Sequence, residues 1–452
     1  MTTRPPDRPA PGPSPFQLVV VVGVTALAAM MMYVDRGCFG VLADPIQTEI
    51  GLADGQRGDI LGAFYLTYAL FQIPIGSLAD RYGARTVLAV SVFTWSVVTA
   101  LTGLADSFAG LLLCRLLLGV TESGAYPAAA GLVKNWAPVR LRGACSGAIT
   151  SGGRIGGAVA PYMTAWLGLH LAGVPLMART DDPSGFNWRG VFVTYGGAGV
   201  VIAMFFWAFV RSRPPGSVTT GPRPADPFAA KLGMLARSRN MWLSGAFQFA
   251  TNIGWAPLVT LFPTYLAGVF HVPIGDRGRM QSFALAVGCL GMMFGGPLTD
   301  FLRVRIGPRF GRSAAPVVTA LGASAVLFLA PTLPSAWAVA AALGVMAFLV
   351  DLHNPSMWAF AQDVGGRHVG AAMGWGNMWG NLGAALASPL LARVVSAYGW
   401  DAAFAVEGGA FAAAAVIGLF LDARRPVEPE PPPEDPSRHP PEDSAAGHPA
   451  SR

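Results

Sequence analysis

GSLADRYGAR, Gly76 to Arg85, and GPLTDFLRVRIGPR, Gly296 to Arg309, carry one pattern at two places in the chain. Each sets a glycine, three small or apolar residues, an aspartate and then basic residues at the end of a long apolar run. Working outward, apolar segments of spanning length, about 20 residues each, fall near 16–42, 58–79, 86–105, 108–133, 143–168 and 189–210. A second set falls near 241–267, 281–300, 314–331, 336–361, 370–395 and 402–422. Each copy of the pattern follows the second segment of its own set. The expected fold is therefore all-α, with twelve transmembrane helices in two pseudo-symmetric six-helix bundles, 16–210 and 241–422. Such a parallel repeat turns about an axis along the membrane normal and places a binding site at the midplane between its halves.

The rest of the chain supports this frame. The interval 211–240, rich in Arg, Pro and Gly, reads as a cytoplasmic linker. The tails, 1–15 and 423–452, are polar and proline-rich and are expected to be disordered cytoplasmic segments. Of 452 residues 53% are hydrophobic and 12% charged, with a mean hydropathy of +0.47. A soluble protein carries about 25% charged residues, so half the usual solvating surface is missing. The net charge of +6 is scattered over short loops, which argues against nucleic acid as a partner and for a lipid bilayer. Most of the 31 Lys and Arg lie in cytoplasmic segments if both termini are inside, and reversing the topology inverts that bias. Cys38, Cys114, Cys145 and Cys289 are far apart in apolar segments and read as small core residues, neither disulfide-forming nor metal-binding. No cleavable signal is expected, because the first apolar run continues straight into Tyr33-Val34-Asp35-Arg36.

Among the ionisable residues inside spans, six stand out: Asp35, Arg36, Arg115, Glu122, Arg154 and Asp351. A charge at a helix centre costs roughly 2.5–3.5 kcal/mol on the insertion scale, so such residues are paired, hydrated or used. Three arginines against three carboxylates suggest a polar pocket within the bundle, as a transporter needs. No nucleophile–base constellation, metal-ligand spacing or phosphate-binding glycine loop is evident, so an enzyme is not expected, and neither is a cofactor.

The first loop resembles the major facilitator superfamily signature G-x-L-A-D-R-x-G-x-R at every fixed position, in the correct loop of a twelve-span chain. Further segments are similar to the anion:cation symporter branch, whose members carry hexuronates, galactonate, glucarate and phthalate-type acids. These are Tyr33 to Arg36, Tyr68-Ala69-Leu70-Phe71-Gln72-Ile73-Pro74, RLLLGVTESGAYPAA from Arg115 to Ala129, and Asn377 with Asn381-Leu382-Gly383. The resemblance runs from about residue 16 to 422 and implies a transporter in a bacterial-type inner membrane. Arg154 and Asp351-Leu352-His353 depart from the family pattern, where a substrate would sit. Members of the drug-exporting branch resemble one another by a Gly-Pro-rich motif ending in two glycines in the fifth span; Ala160-Pro161-Tyr162-Met163 lacks it.

The resemblance places Asp35 and Arg36 in the cavity, the first as a proton carrier and the second on a substrate carboxylate; the alternative is an interfacial pair snorkelling to water. Arg115 and Glu122 share a face of the fourth span, two turns apart. Arg115 is expected to reach Asp35, leaving Glu122 the more isolated acid and a second protonation switch; a structural pair tying helices is the alternative. Arg154 either joins Arg36 in clamping a second carboxylate or pairs with Glu122 or Asp351. Asp351 and His353 line the cavity or make helix–helix hydrogen bonds, with Pro355 suggesting a broken helix. Asn377 and Asn381 offer amides to a polyol, and Tyr33, Tyr68, Gln72 and Trp255 are further expected lining. Gly76, Asp80, Arg81, Gly83 and Arg85, with Asp300 in the second copy, form a gating loop: Asp80 favours the dipole of the next helix and the arginines pair across to the other half. The function expected is proton-coupled import of a sugar acid, aldarate or aromatic carboxylate by a monomer, with sodium as the alternative ion. The rival function is a proton-antiporting exporter of drugs or metabolites.

Overall fold

The computed structural model describes residues 14–171, 187–214 and 226–428. The helices are α1 (Pro15–Ile50), α2 (Asp54–Tyr82), α3 (Ala84–Thr102), α4 (Phe108–Glu122), α5 (Ala125–Trp136), α6 (Arg142–His170) and α7 (Trp188–Phe209). After them come α8 (Phe228–Arg237), α9 (Arg239–Thr260), α10 (Phe262–Phe270), α11 (Ile274–Leu329), α12 (Ala336–Val364), α13 (Val369–Tyr398) and α14 (Trp400–Gly418). No strand occurs among the described residues.

Eight of these stretches are long and apolar enough to cross a bilayer, and nine if α9 and α10, bent by 57°, count as one span. α11 supplies two passes, because Gly307 breaks it at φ 82°, a left-handed conformation natural to glycine. α6 and α13 have the length to cross but are diluted by glycine and polar residues. The expected twelve passes are thus accounted for, with α4 and α5 as two parts of the fourth. Helix ends follow ordinary capping chemistry: Ser14, Ser107, Asn187 and Ser335 accept from backbone N–H groups in the first turns of α1, α4, α7 and α12.

One apolar core is built from residues 235–421 with Ile73 added. Two others come from residues 21–210, joined by Trp358, Ala361, Val369 and Met373. Large apolar side chains facing outward, such as Phe205, Phe301 and Leu321, are exposed because lipid is their solvent. The interval read as a linker contains α8, whose Lys231 and Leu235 are buried. The tails read as disordered lie mostly outside the described residues, yet residues 423–428 are held: Val427 N donates to Val364 O at 2.9 Å. α12 runs unbroken through Pro355, against the expected break. All four cysteines are free.

Candidate functional site

α1, α2 and α4 build a polar cluster inside the first half. Gly119 on α4 lets that helix press onto α2, since a Cβ there would collide with Thr67 and the Phe64 carbonyl. Thr67 Oγ1 donates to Leu116 O at 2.9 Å across the same contact. The face carrying Arg115 and Glu122 is thereby laid over the aromatic residues of α2 and the polar turn of α1. Arg36 Nε donates to Glu122 Oε2 at 2.6 Å. Its guanidinium sits over the ring of Tyr68 at 4.2 Å, with Tyr33 at 5.2 Å and Phe64 at 5.3 Å. This aromatic cage supplies cation–π attraction where water is scarce.

Asp35, 1% exposed, makes no hydrogen bond with either oxygen. Trp95, whose buried indole N–H is also unpartnered, lies near it but outside hydrogen-bond geometry. Arg115 is 3% exposed, lies over the ring of Phe39 at 3.8 Å, and leaves Nε and Nη2 without partners. The expected pairing is therefore corrected: Glu122 is the paired acid and Asp35 the isolated one, because Arg36 reaches from α1 to Glu122 on α4 while Arg115 makes no hydrogen bond to Asp35. Gln72 is fully buried with both amide atoms unpartnered.

Between the halves, Arg154 Nη2 on α6 pairs with Asp351 Oδ1 on α12, and its guanidinium lies over Trp255 at 4.6 Å. Gly288 makes room for Asp351, since a Cβ there would stand 2.9 Å from Oδ2. Of the two roles open to Arg154, the structure contains the pairing with Asp351. Tyr126 meets Trp358 edge-on at 4.9 Å, again across the halves, and Tyr33 lies 6.3 Å from Tyr126. Tyr33 is within electrostatic reach of both Arg36 and Arg154, so the two guanidinium groups border one region. His353 is not brought there. Its Nδ1 hydrogen-bonds Thr319 Oγ1 at 2.9 Å and its ring packs edge-on against Phe247, the helix–helix alternative. Asn377 and Asn381 continue the α13 stripe of Gly370 and Gly374 that faces α2, with Asn381 Nδ2 donating to Asn377 O at 2.8 Å.

At one end of the molecule the halves are closed by two matching contacts. Asp80 accepts from the N–H groups of Gly370 and Ala371 at 2.8 and 3.0 Å, capping α13. Asp300 accepts from Gly143 and Ala144 at 3.1 and 2.9 Å, capping α6. Beside each cap a glycine pair lets backbones touch, Gly76 with Gly370 and Gly143 with Gly296, where a Cβ would collide with a carbonyl. Two expectations are corrected. Asp80 serves a helix of the other half, not the next one, because Gly370 admits α13 against it. Arg85 stays in its own half, donating to Trp207 O at 2.6 Å, and Arg81 lies over the Tyr82 ring. Gly83, at φ 91°, makes the turn into α3.

Charges passed over in the sequence complete this end. Arg142 donates to Asp363 at 2.7 Å across the halves, and fully buried Arg312 joins Asp363 and Asp300 at 3.0 and 3.1 Å. Charge at a helix end was their sole sequence signal, and it is too common to single them out. Glu407 on α14 was also missed; it is 7% exposed beside the α9–α10 bend.

With this geometry in hand, similarity to known proteins is informative. The family model for the Major Facilitator Superfamily matches residues 25–388 and 364–449. A probable sulfoacetate transporter of Cupriavidus necator is 30% identical over 89% of this chain and 93% of its own. A probable L-galactonate transporter of Escherichia coli is 25% identical (88% of each), and a hexuronate transporter of Bacillus subtilis 27% (86% and 92%). Among solved structures, the E. coli fucose:proton symporter superposes with a TM-score of 0.71 at 17% identity, covering 90% of this chain and 99% of that one.

Proposed function

From the premise that the chain belongs to the major facilitator superfamily, and so is a multi-pass transporter and not an enzyme, we propose that it imports a small organic anion by proton symport through alternating access. The relatives named above carry organic acids, and that supports the substrate class. The observation that carries the proposal is the Arg36–Glu122 pair in its aromatic cage, beside an unpartnered Asp35 and Arg115. Arg36 Nη2 and Glu122 Oε1 are both buried without a hydrogen bond. Leaving such groups unsatisfied away from water is costly, which suits a site whose polar atoms are held ready for a polar ligand.

The chemistry follows from exchange of partners. An entering carboxylate or sulfonate accepts from the Arg36 fork and displaces Glu122. A buried carboxylate without its guanidinium takes up a proton, so anion binding and protonation become linked. Asp35, one residue from Arg36 and near Arg115, is the second group able to hold a proton. The second arginine, Arg154, exchanges Asp351 for the far end of a dianion. Both termini are placed in the cytoplasm of a bacterial-type inner membrane on the positive-inside bias.

Proteoliposomes with and without an inward proton gradient, supplied with labelled hexuronates, aldonates, aldarates, sulfoacetate and aromatic acids, test this. The expected result is gradient-driven accumulation of at least one acid, abolished by a protonophore. Accumulation indifferent to the proton gradient overturns the symport, and failure of every acid overturns the substrate class.

A further inference from the structure

Away from the midplane, at the Asp80 end, a cleft of about 710 Å³ opens between α8, the start of α9, the break in α11 and the chain following α14. Arginine dominates its wall. Arg237 and Arg239 flank the α8–α9 junction, Arg309 lies just past the Gly307 break, and Arg424 and Arg425 come from beyond α14. A single acid, Asp422, faces them. Arg424 donates to both its oxygens at 2.9 and 3.0 Å, and Arg425 lies at 3.6 Å. Those hydrogen bonds from Arg424 hold the Asp422 carboxyl down at about 2, so its charge is permanent and already matched. Among the described residues, no salt bridge engages Arg237, Arg239 or Arg309; Arg309 feels the Asp422 charge from a distance, and its Nε is buried without a hydrogen-bond partner.

The cleft is a built feature. Asn240 Nδ2 donates to Asp422 O and Arg425 O, each at 2.8 Å, pinning the segment after α14 against α9. Arg367 grips Glu428 with two hydrogen bonds of 2.6 and 2.7 Å, fixing the segment further on. Phe420 lines the cleft and is exposed, as are Leu419 beside it and Trp242 on α9, and Arg239 stands over the Phe420 ring at 5.8 Å. Guanidinium groups thus line one cleft together with an exposed aromatic ring, a pairing that fits a molecule with an anionic head and hydrocarbon tails. Arginine suits phosphate because its planar fork donates to two oxygens together.

We propose that this cleft binds the phosphate headgroup of an anionic glycerophospholipid, with the acyl chains along Phe420 and Trp242. The proposal rests on the chain being a membrane protein and not on what it transports.

Native mass spectrometry of the full chain, released from bilayers of phosphatidylglycerol mixed with phosphatidylcholine, tests it. The wild type retains phosphatidylglycerol preferentially. Removing two juxtamembrane charges with Arg237→Gln and Arg309→Gln weakens retention on the order of 30-fold. Arg237→Lys with Arg309→Lys keeps most of the charge and recovers part of the loss, which separates headgroup binding from misfolding. Equal retention of both lipids by the wild type, or undiminished preference in the glutamine variant, overturns the proposal. So does displacement of the bound lipid by inorganic phosphate or glycerol 3-phosphate, which assigns the cleft to a soluble phosphate. A lipid preference that emerges only when Glu430, Glu434 and Asp435 are changed to their amides assigns it to the chain's own acidic tail and also overturns the proposal.

Discussion

Arg36 holds Glu122 while stacked on Tyr68, and a lysine there keeps the charge but loses both the fork and the flat face. Arg36→Lys is therefore expected to weaken substrate affinity by about tenfold or more, at the 1.4 kcal/mol per decade of a lost charged hydrogen bond. Equilibrium binding of the identified acid checks it; unchanged affinity removes the fork contact from the mechanism. Asp35→Asn and Glu122→Gln should lose gradient-driven accumulation and keep substrate exchange, since each amide imitates the protonated acid. Counterflow measured beside pH-driven uptake distinguishes the two, and normal accumulation in both variants excludes these carboxylates from coupling. Arg154→Ala strands Asp351. If Arg154 also holds the far end of a dianion, transport of dicarboxylates falls while monocarboxylates are largely spared. Equal losses for both, normalised to folded protein, leave it a purely structural tie.

Among elements, much was legible because the signals are local. Spanning length, Gly307 between two passes and the doubled aspartate pattern can each be read from a short window. The partners of Asp80 and Asp300 could not be read, because each caps a helix 290 or 157 residues away, and nothing in a loop names the helix it will meet. The same limit explains Arg36. Composition locates an arginine in a span, but which of two acids it reaches depends on how closely α4 approaches α2, and that was decided by Gly119. His353 read as lining because periodicity alone does not show which face of α12 meets Thr319. The matching caps make a prediction at this scale. Asp80→Ala should destabilise the closed end by about 1 kcal/mol and Asp300→Ala by more, since it also takes a partner from buried Arg312, with the double variant near the sum. Spin-label distances between α2 and α13, and between α6 and α11, should lengthen in population. An effect from one aspartate alone would break the equivalence of the two halves.

At the level of the whole molecule, cross-half contacts gather at the Asp80 end and reach the midplane at Arg154–Asp351 and Tyr126–Trp358. If this end faces the cytoplasm, Ser212→Cys should react with an impermeant maleimide in inverted vesicles and not in intact cells, measured against the wild-type cysteines. The opposite labelling reverses the topology. The capping aspartates carry a further consequence. The amide protons of Gly143, Ala144, Gly370 and Ala371 are shielded by carboxylates only while the ends are together. Each time the halves part at this end, those protons meet water. Deuterium uptake at four backbone positions therefore counts the openings of the transport cycle, with no label attached and no residue changed.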